Sequence, residues 1–144
     1  MLRGVSIDRG DSHLESAGTW NRACRHIALY LWWAADRGLA AKRIDGKAVA
    51  KAPVKYFMSH CDSKLWDEDF NEAGVAFAAA RYDTYLRLID SRAQELGIDG
   101  YRFKLDVKTN AYFFGLLDGL LGEWREVHAP KKKPKKRAPK RRRT

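Results

Sequence analysis

Apolar positions at helical spacing recur along most of the chain, and they are densest between Thr19 and Arg37. Thr19 suits the N-cap of a helix there, and Gly38 suits the left-handed position that follows the last turn. Tyrosine and tryptophan side chains widen the apolar surface, and a helix that is apolar on most sides predicts a central place in its domain. The positions that define this helix are Trp20, Cys24, Ile27, Tyr30, Leu31, Trp32, Trp33, Ala34 and Ala35.

A short helix is predicted over Pro53–His60, because proline favours the first helical turn. Residues 40–52 before it predict a connection, with Asp45-Gly46 as a turn signal. Residues 61–66 after it predict a loop. The buried face of the short helix comprises Val54, Phe57 and Met58.

The longest apolar pattern at helical spacing runs from Phe70 to Leu96 and stops at Gly97. Asp67 or Asp69 can cap this helix. We predict a break in it at Asp83-Thr84, because both residues cap helices well and fit helix interiors poorly.

The last predicted helix spans residues 110–127 and carries a stripe of leucine and aromatic side chains. Thr109 or Asn110 serves as its N-cap. Gly115 and Gly119 lie four positions apart in this helix. Since a missing side chain lets two backbones meet, the pair predicts close approach of a neighbouring helix.

One segment alternates apolar and polar residues, as a strand does: Tyr101–Val107. The candidate partner for it is Arg3–Ile7, within residues 1–18, which otherwise predict an irregular lead-in. We therefore predict a mainly α domain of four to five helices around one core, with a short strand pair near residues 101–107 left open.

The charge of the chain is concentrated at its C-terminal end. Of 28 basic residues, ten lie in the last sixteen positions, which hold no acid, and the remaining 18 balance the 18 acidic residues. Three prolines and like-charge repulsion oppose helix formation in this segment. We predict a helical globular domain over residues 1–128 and a disordered Lys/Arg/Pro-rich tail over residues 129–144.

A cationic tail of this kind binds nucleic acid by releasing the counterions of the phosphates. It holds no aromatic side chain that could stack on bases and no fixed geometry that could read a groove, so binding to DNA or RNA would not depend on sequence. A nuclear import signal and a solubilising or docking segment are the alternatives. The predicted contact residues are Lys131, Lys132, Lys133, Lys135, Lys136, Arg137, Lys140, Arg141, Arg142 and Arg143.

Composition excludes some classes of protein. The longest apolar run, Ile27–Ala35, has nine residues, whereas a membrane span needs about 20. The first residues lack the apolar region of a secretory signal. Cys24 and Cys61 predict free thiols rather than a disulfide framework. These observations favour a cytoplasmic protein, at the nucleoid or, in a eukaryotic source, in the nucleus.

Chemistry within the domain has weak candidates. Cys61 follows His60 directly, and His26 lies on the apolar helix, so a Cys/His pair for nucleophilic catalysis is one interpretation. Buried or capping roles explain the same residues more simply, and we expect no enzyme activity. Asp67 and Asp69 begin a calcium-loop pattern that fails further on, where glycine and glutamate are required. We predict no metal and no cofactor.

Several motifs resemble those of an uncharacterised bacterial domain family. His26-Ile-Ala-Leu-Tyr-Leu-Trp-Trp33 is similar to the family's His-Ile-Gly-Met-Phe-Leu-Ala-Trp. Cys61-Asp-Ser-Lys64 and Asp69-Phe-Asn-Glu-Ala-Gly74 are similar to Cys-Asp-Gly-Lys and Asp-Leu-Asn-Glu-Glu-Gly. The resemblance covers residues 7–127 and leaves out the tail. It implies a small bacterial cytosolic protein and carries over no catalytic residue.

Departures from these motifs occur at Ser63, where the family has glycine, and at Val75, where it has asparagine.

The leading hypothesis for the function is a non-catalytic protein that binds nucleic acid through its basic tail. One alternative is a protein-interaction module of immunity or regulatory type, with an aromatic surface as its binding face. The other is a Cys/His-dependent enzyme. The aromatic candidates are Trp32, Trp33 and Trp66.

Overall fold

The computed structural model describes residues 5–128, which form six helices and a two-stranded antiparallel sheet, so the predicted mainly α fold is confirmed. Among these helices, none combines the length and the apolar character that crossing a membrane requires. The elements are β1 (Ser6–Arg9), α1 (Gly10–Ala17), α2 (Trp20–Asp36), α3 (Gly46–Lys51), α4 (Pro53–His60), β2 (Lys64–Trp66), a 3₁₀ turn (Asp67–Asp69), α5 (Glu72–Leu96) and α6 (Val107–His128).

Helix α2 is the central element, as its apolar pattern predicts. Ten of its residues are buried, and helices α1, α3, α4 and α6 all pack against it. The Thr19 hydroxyl accepts a hydrogen bond from the Arg22 backbone N–H, and Gly38 has a φ of +75°. Both end signals read from the sequence are therefore confirmed.

Ser6–Arg9 form a strand and Gly10–Ala17 form a helix, which corrects the irregular lead-in predicted over residues 1–18 for the part that the structure describes. Strand β1 pairs with β2, which replaces the second half of the loop predicted over residues 61–66, whereas residues 61–63 form a turn. In this register Asp8 lies opposite Leu65, and the Gly10 backbone N–H donates to the Ser63 carbonyl at 2.7 Å. A Cβ on Gly10 would lie 2.7 Å from Cys24 Sγ. The absence of a side chain at Gly10 therefore leaves room for the junction of β1 and α1 to pack closely against α2.

The predicted strand over residues 101–107 is wrong. Residues 102–106 have neither helix nor strand structure, and Val107 begins α6. Their alternating pattern reflects packing, since Phe103 is buried and its ring lies 4.9 Å from that of Phe113. The strand pair that does form is β1 with β2.

Helix α5 continues unbroken through Asp83-Thr84, so the predicted break is wrong. Tyr82 and Tyr85, on either side, are buried in the core. Because most helical stability in proteins comes from packing of the apolar face, this burial outweighs the weak helix propensity of the pair. The side chain of Asn71 caps the helix by accepting from the Gly74 N–H, in place of either predicted aspartate.

Two further corrections concern short-range signals. Asp45 caps a helix, α3, within the predicted connection over residues 40–52, because its side chain accepts from the backbone N–H groups of Lys47 and Ala48. Asp106 rather than a later residue accepts from the Thr109 N–H at the start of α6. In both places an aspartate is the N-cap, one of the residue types preferred there.

Gly115 and Gly119 do not mark a close approach of helices. No contacting atom in the described residues lies within 4 Å of a Cβ built at either position. The close approach occurs at Gly74 instead, where a Cβ would lie 2.2 Å from the carbonyl oxygen of Leu39. At this point α5 passes directly over the segment that follows α2.

Replacing Gly74 by alanine is expected to lower the free energy of unfolding by at least about 2 kcal/mol, because a backbone carbonyl cannot yield as a flexible side chain can. The matched control is Gly119→Ala, in open space within α6. It is expected to stabilise by about 0.5–1 kcal/mol through lower backbone entropy in the unfolded chain. Urea denaturation measures both, and equal effects would contradict the close approach at Gly74.

Candidate functional site

A polar cluster lies where the N-terminal segment meets the core. Asp8 is in β1, and His13 lies one turn into α1. Because α1 follows β1 without a connecting loop, the two side chains lie close to each other. Helix α2 contributes His26, helix α5 contributes Tyr82, and the connection before α6 contributes Tyr101. We call these five residues the Asp8 cluster.

The carboxylate of Asp8 is the centre of the cluster. One oxygen, Oδ1, lies 2.7 Å from His13 Nε2 and accepts from the Arg9 backbone N–H at 2.8 Å. The other, Oδ2, lies 3.2 Å from His26 Nε2 and accepts from the Tyr82 hydroxyl at 2.6 Å. The Asp8 side chain is only 8% exposed, so nearly all of its polar contacts are with protein.

Burial of Asp8 acts to raise its pKa, but hydrogen bonds from His13, His26 and Tyr82 outweigh burial and hold the pKa well below its usual range. The group is therefore an anion, and an ionised carboxylate can only accept hydrogen bonds. It follows that both imidazoles direct an Nε2–H at it.

His26 is an incompletely bonded buried histidine. Burial lowers its pKa, although the charge of Asp8 acts in the opposite direction, so the neutral imidazole is favoured. With its proton on Nε2, the other nitrogen, Nδ1, is a lone pair. This atom is buried and has no hydrogen-bond partner in the described residues. Such an atom is unusual in a native core and requires an explanation.

The second ring nitrogen of His13 connects the cluster to Tyr101. His13 Nδ1 lies 2.6 Å from the Tyr101 hydroxyl, and the His13 and His26 rings meet edge to face with centroids 4.5 Å apart. A cavity of about 80 Å³ lies beside these rings. Its lining residues are His13, His26, Leu86, Ile89, Asp90, Gly100 and Tyr101.

Of the catalytic candidates named from sequence, only His26 belongs to the cluster. His60 is on the surface, stacked on Tyr56 at a centroid distance of 4.3 Å. Burial, with the nearby charge of Asp69, raises the pKa of Cys61 to about 12. No hydrogen bond in residues 5–128 joins Cys61 to a histidine. A Cys/His nucleophile is therefore not assembled, and both cysteines are free as predicted.

An exposed aromatic cluster does not form among the three tryptophans named from sequence. Trp33 is fully buried, and its Nε1–H donates to Asp118 at 2.9 Å. Trp32 packs against Phe114 with ring centroids 4.8 Å apart. The ten basic residues predicted to contact nucleic acid lie outside the described residues.

Residues 6–112 match the family model described as a domain of unknown function (DUF7832), and the chain belongs to this family. Membership of an uncharacterised domain family, expected from the motifs, is thereby confirmed. No curated protein and no solved structure matches the chain. The matched range contains the whole Asp8 cluster and ends before the basic C-terminal segment.

Alkylation of Cys61 in the folded chain at about pH 8 is expected to be about a thousandfold slower than in the unfolded chain, because the thiolate is the reacting form. The reason is the rise of its pKa from the 9.0 of an exposed thiol to about 12. Mass spectrometry of iodoacetamide-treated peptides measures the rate, with urea-unfolded protein as the control. A similar rate in both states would restore Cys61 as a nucleophile.

Tyr82→Phe removes the 2.6 Å hydrogen bond to the buried Asp8 carboxylate. We expect a loss of about 1.5–3 kcal/mol in the free energy of unfolding, the range for hydrogen bonds to charged groups. The matched control is Tyr85→Phe, since the Tyr85 hydroxyl donates at 2.8 Å to an uncharged acceptor, the backbone carbonyl oxygen of His26. It is expected to cost about 0.5–1.5 kcal/mol. A smaller loss for Tyr82→Phe than for the control would show that Asp8 is not charged.

Proposed function

We propose that this chain is a nucleic-acid-tethered protein, held on DNA or RNA without sequence preference by residues 129–144. The observation that carries the proposal is the separation of charge along the sequence. Ten of the 28 basic residues lie in this segment, which has no acid, and the other 18 equal the acidic residues in number. The attraction for phosphates is thus concentrated in one short stretch.

Ion pairs on the surface of the domain support this division. Arg37 and Arg43 contact Asp118 and Asp69 through N–O distances of 2.7 and 2.6 Å. Three further arginines pair with acids close in sequence: Arg9 with Asp11, Arg92 with Glu95 and Arg102 with Asp99. Cations already paired with carboxylates attract phosphates less, so the domain adds little to polyanion binding.

The segment's composition defines the mode of binding. Each cation that neutralises a phosphate releases condensed counterions, and this gain does not depend on which bases are present. The segment contains lysine, arginine, proline, alanine and threonine but no aromatic residue that could stack on single-stranded bases. Duplex DNA and single-stranded RNA are therefore both partners, and affinity depends steeply on salt. In a bacterial cell the chain would act in the cytoplasm, at the nucleoid.

The test compares the full chain with a variant in which the ten basic residues of the segment are replaced by glutamine. The full chain is expected to lose about 10³–10⁵-fold in affinity for duplex DNA between about 50 and 200 mM salt, if six to ten phosphate contacts form. The glutamine variant is expected to bind neither duplex DNA nor RNA measurably. Fluorescence anisotropy with labelled oligonucleotides measures all the affinities.

A second variant with the same segment in scrambled order is the matched control, and it should bind as the full chain does. Loss of binding on scrambling would contradict the proposal, because binding would then depend on the order of the residues and not on charge alone. Unchanged binding by the glutamine variant would overturn the proposal, because the domain would then carry the affinity.

A further inference from the structure

We propose that Asp8, His13 and His26 form a binding site for one divalent transition-metal ion, with Zn²⁺ as the best-fitting probe. This site is independent of the basic C-terminal segment. It lies within the domain and within the range that matches the family model.

The donor set and its geometry fit such an ion. One ligand atom from each of the three residues can be chosen so that all three lie within 4.8 Å of one another. Ligand atoms around tetrahedral zinc are about 3.3 Å apart, from metal–ligand distances near 2.0–2.1 Å. The imidazole nitrogens lie 2.7 Å from Oδ1 and 3.2 Å from Oδ2 of Asp8, so the first contact would widen by about 0.6 Å and the second is already close to this spacing. Two imidazoles with one carboxylate favour a first-row transition ion over Mg²⁺ or Ca²⁺, which prefer oxygen ligands.

The surroundings of the three side chains match those of protein metal ligands. A ligating histidine usually gives its second ring N–H to a neighbouring acceptor, and a ligating carboxylate is itself hydrogen-bonded. Tyr101 Oη lies 2.6 Å from His13 Nδ1, in place to accept that proton. Tyr82 and the Arg9 backbone N–H already donate to the two oxygens of Asp8. These contacts would fix the ligands before an ion binds.

The charge balance of the cluster is the second observation that points to a cation. Buried carboxylates in proteins are paired with a cation or coordinate a metal. The other buried aspartate, Asp69, follows this rule, since Arg43 Nη2 lies 2.6 Å from its Oδ1. No lysine or arginine in residues 5–128 forms an ion pair with Asp8, whose partners are two histidines. A divalent ion would supply the missing positive charge.

Room remains for a further ligand. Three protein ligands leave a tetrahedral ion with one position for water or a small molecule, as in catalytic zinc sites. A cavity of about 80 Å³, large enough for water, is lined by two of the three ligand residues, His13 and His26, whereas Asp8 does not line it. Water in this cavity would also give the unpaired Nδ1 of His26 a partner, since that nitrogen must carry the proton when Nε2 binds a metal.

The test uses the full chain without a histidine tag, first freed of metal with a chelator. Titration calorimetry with Zn²⁺ is expected to give one ion per chain, and bound Co²⁺ is expected to show the visible absorption of a tetrahedral complex. In ¹⁵N-histidine spectra of the unaltered chain, the ring nitrogens of His13 and His26 should shift with Zn²⁺. Those of the exposed His60 and His128 should remain unchanged.

Variants separate ligation from structural packing. His13→Gln, at a partly exposed position, is expected to weaken Zn²⁺ binding by more than about 100-fold, beyond what loss of an outer partner costs. Tyr101→Phe, which leaves all three ligands in place, is expected to weaken it by about 10- to 100-fold. The matched controls are His60→Gln and Tyr112→Phe, both on the surface, which should bind as the unaltered chain does.

Absence of Zn²⁺ and Co²⁺ binding by the folded, unaltered chain would overturn the proposal and leave a hydrogen-bonded network alone. Shifts at His60 or His128 in place of His13 and His26 would overturn it too, because the ion would then sit elsewhere. The histidine spectra need no variant, so a failure of His13→Gln to fold leaves the test decisive.

Discussion

The burial of α2 is the constraint on which the rest of this structure depends. A helix that is apolar on most sides must be covered all round, so helices from both halves of the chain pack over it. His26 lies on this helix and is carried into the interior with it. A buried imidazole needs a polar partner, and Asp8 in the first strand meets that need. Thus the burial of α2 determines where in the domain the polar cluster forms.

Local signals in the sequence predict much of the helical framework. The ends of α2, the bounds of α4 and the stop of α5 at Gly97 follow from capping residues and apolar spacing, which act within a few positions. Strand β2 could not be found in this way. It has three residues and carries no periodicity of its own, and it exists because β1, more than fifty positions earlier in the chain, pairs with it.

The candidate site was missed for the same reason. His13 and Tyr101 are 88 positions apart in the chain, and Asp8 meets Tyr82 across 74. Histidine and aspartate are common enough that only their meeting in space makes them informative. The available signal was an aspartate and a histidine five positions apart, after a stretch that contains the β-branched residues Val5 and Ile7.

The distribution of the Asp8 cluster along the chain has a consequence for biosynthesis. Its first member, Asp8, leaves the ribosome long before its last member, Tyr101, because the two lie far apart in the sequence. A nascent chain that stops short of residue 101 holds a carboxylate and two imidazoles without their full set of partners, at a cost that grows when they are enclosed. The cluster therefore completes only after residue 101 has left the ribosome, and the compaction that encloses it waits until then.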